Sequence, residues 1–136
     1  MKAIGWKAIL FACLGTIFLV AGALFGLHTW RFTQTASHAA GTVICENYGC
    51  HHVEVRFKTA AGEMIEYPQN GDICLHTAQN INVLYDPSMP LPTATVDSIG
   101  ALWGNTFWAS LMGVVFVLPA CLGRFGSRFI YFKPGR

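Results

Sequence analysis

Hydrophobic and polar positions divide this chain into three stretches with two different periods. Residues 8–27 and 101–123 hold no Lys, Arg, Asp or Glu. A helix rising about 1.5 Å per residue needs roughly 20 residues to cross a bilayer, so each stretch predicts a membrane-spanning helix. Between them the pattern alternates. Val53, Val55 and Phe57 interleave with Glu54, Arg56 and Lys58, and Asn80–Tyr85 alternates again before Asp86-Pro87. Period two is the signature of a half-buried strand. Further strands are predicted at Gly41–Cys45, Glu63–Tyr67 and Thr93–Val96, with turns at Ala60-Ala61-Gly62 and a break at Pro68–Asp72.

Closely spaced short strands favour an antiparallel sheet curled into a small barrel or sandwich. The expected fold class is therefore membrane α plus β, a two-span transmembrane helical hairpin carrying that domain between its spans. The segments are 1–30 (tail and first helix), 31–98 (β domain) and 99–136 (second helix and a basic-aromatic tail). The strand faces carrying Val53, Val55 and Phe57, and Ile81, Val83 and Tyr85, are expected to meet in the core.

Charge adds an orientation. Lys2 and Lys7 precede the first span, and Arg124, Arg128, Lys133 and Arg136 follow the second. All seven acids lie between the spans, with only Arg31, Arg56 and Lys58. Basic flanks stay in the cytoplasm. The expectation is a bacterial inner-membrane protein with both termini cytoplasmic, the middle domain periplasmic and the lipid bilayer as its first partner. The acidic middle domain argues against nucleic acid. The apolar run is longer than a signal-peptide core and lacks a cleavage pattern near its end, so an uncleaved anchor is expected.

Trp6 and Trp30 bracket the first span, Trp103 and Trp108 lie near the start of the second, and Phe125, Phe129, Tyr131 and Phe132 alternate with basic residues beyond it. Amphipathic rings and snorkelling cations sit at headgroup level. Gly22/Gly26 and Ala109/Gly113 are small-xxx-small pairs that let helices approach closely, within the hairpin or between copies in a homo-oligomer. No ionisable acid or base lies mid-span, which counts against a transporter or channel.

Ala40-Gly41-Thr42-Val43, the Val-x-Val-x-Phe-x-Thr strand running towards Gly62, and Tyr85-Asp86-Pro87-x-x-Pro90 with Ala94 and Asp97 resemble the bacterial domain-of-unknown-function family number 3592. The likeness runs over nearly the whole chain. It departs at Met89, where the family has Asn, and at the 74–79 insertion that displaces Gly71-Asp72. The resemblance implies a membrane-anchored small β domain and brings no catalytic residues. Asp86 itself reads as a strand terminator bonding the next turn.

Cysteine carries the remaining chemistry. Cys13 and Cys121 lie in the spans as small apolar residues. Cys45 and Cys50 flank a four-residue loop; directly paired hairpin residues have Cα atoms about 4.5–5.5 Å apart, within disulfide reach. A structural Cys45–Cys50 disulfide is expected, with Cys74 left over. Free thiols are one alternative; a zinc or copper site drawn from Cys45, Cys50, His51, His52, Cys74 and His76 is another. No cofactor is expected.

There is no nucleophile elbow, phosphate-cradling loop or spaced carboxylate pair, so no enzyme is expected. The reading that follows is a membrane-anchored periplasmic binding or scaffold module that interacts with another envelope protein. The alternatives are an immunity protein against a membrane- or periplasm-acting toxin, and redox or metal sensing through the loop Cys and His residues.

Overall fold

The computed structural model describes residues 6–126. In chain order the elements are α1 (Trp6–Thr35), β1 (Ser37–Glu46), β2 (His52–Lys58), β3 (Met64–Asn70), β4 (Asn80–Tyr85), α2 (Pro90–Thr93), β5 (Thr95–Val96) and α3 (Ile99–Gly126). They divide into two compact units. One is a helix pair, running to Phe25 and resuming at Asn105; the other is Gly26–Gly104.

The second unit is built on one five-stranded antiparallel sheet in the order β3-β2-β1-β4-β5, curled into a half-barrel. The alternation read at His52–Lys58 and Asn80–Tyr85 coincides with β2 and β4. Side chains of the concave face form the core: Val43, Val53, Val55, Phe57, Ile65, Tyr67, Val83, Tyr85 and Val96, joined by Leu75. Phe57 packs edge-on to Tyr67 and tilted against Tyr85, at centroid distances of 5.9 and 5.2 Å. The predicted faces do meet there, with Ile81 only partly buried.

The two edges of this half-barrel are joined by a side chain. Gln69 of β3 is buried, and its Oε1 accepts from the Val96 amide of β5 at 3.1 Å while its Nε2 donates to Asn70 O. A buried amide is stable only when both its ends are bonded, and here the bonding links the first and last strands of the sheet.

Three differences from the sequence pattern have physical causes. Strand β3 runs through Pro68 to Asn70, although proline was expected to end it. Glu63 O accepts from Thr59 N, so β3 residues at odd positions face β2 and even ones face outward. Pro68 falls on the outward side of an edge strand, where no N–H is needed. Helix α1 continues past Trp30 to Thr35 because nothing in Thr29–Thr35 breaks it. The Thr33 and Thr35 hydroxyls bond back to the carbonyls of Trp30 and Arg31. Strand β1 begins at Ser37, four residues before Gly41, because β4 supplies a partner along that length, from Ser37↔Tyr85 to Thr42↔Asn80.

In the helix unit, α1 and α3 lie against each other through small residues. A Cβ on Gly22 would stand 2.5 Å from Ser110 Oγ, and one on Gly15 2.6 Å from Val117 Cγ2 and 2.9 Å from the Gly113 carbonyl. Leu19 sits as closely over Gly113. Gly22 and Gly113 were read from their spacing; Gly15 is a further contact. Phe11 and Phe18 both stack on Phe116, at 5.8 and 5.9 Å. Both helices are long and apolar enough to cross a membrane. Pro119 lies inside α3. Lys2 and the tail beyond residue 126 lie outside the described residues.

Candidate functional site

The chemistry-bearing residues of the sheet unit gather where the β1–β2 turn meets the long connection from β3 to β4. A register shift between Val43 and Cys45 places Cys45 opposite Glu54, inside the ladder. The turn then closes beyond it, with Asn47 N donating to His52 O (2.9 Å) and His52 N to Gly49 O (3.1 Å). Gly49 takes a positive φ of 89°, which glycine adopts at little cost. Cys50 is therefore a loop residue and not the cross-strand neighbour of Cys45.

Cys50 instead forms a disulfide with Cys74, with Cα atoms 4.6 Å apart. The expected Cys45–Cys50 link is replaced, and the Cys45 thiol is free and exposed, 3.4 Å from Asn47 Oδ1. Direct opposition is what a hairpin disulfide needs, and the shifted register removes it. The connection carrying Cys74 is brought alongside instead. Leu75 N donates to Cys50 O at 2.8 Å, Ala78 N to Val43 O at 2.8 Å, and Val43 N to Gln79 O at 3.0 Å.

Side chains complete the attachment. The Glu46 carboxylate accepts from Thr77 N at 2.9 Å and lies 3.4 Å from His76 Nδ1. The bond from the Thr77 amide holds this carboxyl below its ordinary value; burial opposes it next in size, and the neighbouring His76 and the Thr77 hydroxyl lower it further. His51 Nδ1 lies 2.8 Å from the Ile73 carbonyl, and His52 Nδ1 2.8 Å from Asn70 Oδ1. Neither oxygen can donate, so in the neutral rings each Nδ1 carries the proton and each Nε2 is an acceptor. The Glu46–Thr77 clamp had no sequence signal: its halves are 31 residues apart and neither stands in a motif.

This arrangement uses most of the ligands that the metal alternative required. Two of its three cysteines are bonded to each other, and among the described residues no three His, Cys, Asp or Glu side chains converge to hold an ion. Asp86 is placed as a turn former. Its Oδ1 accepts from the Ser88 amide and hydroxyl at 2.8 and 2.7 Å, and these bonds keep its carboxyl ionised below the usual range. Tyr48, at the tip of the β1–β2 turn, is 89 % exposed.

The chain is 36 % identical over 122 residues to the immune protein Tsi4 of Pseudomonas aeruginosa strain PAO1, a match spanning 89 % of this chain and 84 % of that protein. No family model and no solved structure matches it.

Proposed function

The chain belongs to the family of the immune protein Tsi4, and on that premise we propose that it is an immunity protein. It binds a protein toxin that acts at the membrane or in the periplasm and holds it inactive. The likeness to Tsi4 over most of both chains carries this reading. The likeness favours this alternative over the first expectation, a binding or scaffold module for another envelope protein. The action is stoichiometric binding without catalysis.

The proposed setting is the inner membrane, with α1 and α3 as the two spans, both termini cytoplasmic and the sheet unit periplasmic. The charge-free apolar runs and the basic residues outside them support this placement. Alkaline phosphatase fused after Ser98 should be active and after Arg136 inactive; the reverse pattern refutes the orientation.

Co-expression tests the function. Candidate toxins from the same genome are directed to the periplasm of a sensitive bacterium, with and without the full chain. One toxin should kill alone and fail to kill when the chain is present. If the chain rescues growth from none of them, the reading is wrong.

A further inference from the structure

We propose that the toxin is gripped by the joined loops at Asn47–His52 and 71–79, with Tyr48 as the anchor, and that the toxin surface seated there is basic. This rests on the immunity reading and names the surface and the chemistry of its partner.

The first support is preorganisation. A connection that merely links β3 to β4 needs no attachment to another turn. This one is held to the β1–β2 turn by the Cys50–Cys74 disulfide, by the Leu75–Cys50 backbone bond and by the His51–Ile73 contact. Glu46 adds two bonds from Thr77. Fixing loops before association removes an ordering cost from binding.

The second support is what the fixed loops present. Tyr48 stands 89 % exposed on a turn closed by two backbone bonds. A tyrosine ring held outward on a rigid turn is a binding anchor: it offers large area with few rotamers to lose, and it is enriched among residues that dominate interfaces. Beside it, His51 and His52 are exposed, and each has its Nδ1 proton committed within the protein. In the neutral rings their Nε2 atoms are acceptors, which suit a partner rich in N–H donors.

Charge complementarity supplies the third. The unit Gly26–Gly104 contains all seven acids and only Arg31, Arg56 and Lys58, a net charge of 3 − 7 = −4 with neutral histidines. An acidic domain presenting an exposed tyrosine ring and, when neutral, imidazole acceptors fits Arg or Lys side chains. These can stack on the tyrosine ring, donate to Nε2 and be steered in by the field.

The test uses the oxidised full chain in mild detergent, titrated with the purified toxin that the co-expression experiment identifies. Tyr48→Ala should weaken binding at least tenfold and Tyr48→Phe by less than threefold. The His51→Ala/His52→Ala pair should weaken it about tenfold. Affinity should fall steadily with added salt. Met64→Ala and Leu91→Ala, exposed apolar residues on β3 and α2, should leave it unchanged. If Tyr48→Ala and the histidine pair both bind within twofold of the parent, or if salt has no effect, the proposal is overturned. Protection by the parent chain would then still stand as immunity through another surface. Loss of binding in the Met64 or Leu91 variants alone would move the interface to the outer edge of β3.

Discussion

Replacing Cys50 and Cys74 together with Ser removes a link between residues 24 positions apart. In the chain-entropy account, closing a loop of about 25 residues disfavours the unfolded chain by about 3.5 kcal/mol at 25 °C. A Cys45–Cys50 link would close only about six residues and contribute about 2 kcal/mol by the same relation. A unit of this size holds about 4–12 kcal/mol in all, at roughly 0.05–0.15 kcal/mol per residue. The double variant therefore loses a large share of its stability while retaining its loop hydrogen bonds. With a urea slope of about 1–1.5 kcal/mol/M, its midpoint should fall by about 2.3–3.5 M. Cys45→Ser should change stability by less than about 0.5 kcal/mol, because the thiol is exposed and weakly bonded. Pulse proteolysis of the full chain across a urea series in mild detergent measures both, and non-reducing peptide mapping identifies the link. The reasoning is refuted if Cys45→Ser produces the large drop, or if mapping recovers a Cys45–Cys50 peptide.

Phe57→Ala should cost about 3–5 kcal/mol, since it empties a buried aromatic site and ends the contacts with Tyr67 and Tyr85. Arg56→Ala, one residue away and paired only with half-exposed Glu66, should cost less than about 1 kcal/mol; limited proteolysis in membranes compares the two, and a more fragile Arg56 variant would reverse the face assignment. Glu46 has a lowered carboxyl pKa, so its contribution is complete above the ordinary value of 4.5 and is lost as pH falls through the lower folded value. Hydrogen exchange at the Thr77 amide should therefore lose protection on acidification in the parent chain and already lack it at neutral pH in Glu46→Ala, which has no side-chain acceptor; equal protection in both refutes the clamp.

The sequence by itself determined what depends on local period and composition. Two uncharged apolar runs had to be long helices. The alternation around Phe57 and Val83 had to place one side of each strand in a core, because successive side chains point to opposite faces. Asp86-Pro87 marked the end of β4, since proline donates no ladder bond and Asp86 favours a turn. The tertiary structure decided whatever depends on which segments become neighbours. Pro68 sits within a strand because β3 is an edge strand, a position set by sheet order. Cysteine pairing was out of reach for the same reason. A one-residue register shift at Val43/Cys45 and the course of the 71–79 connection bring Cys74 to Cys50. Spacing along the chain carries no record of a contact made across it, so the side chains that join distant segments, Gln69 to Val96, Glu46 to Thr77 and Cys50 to Cys74, became visible only once the sheet had curled.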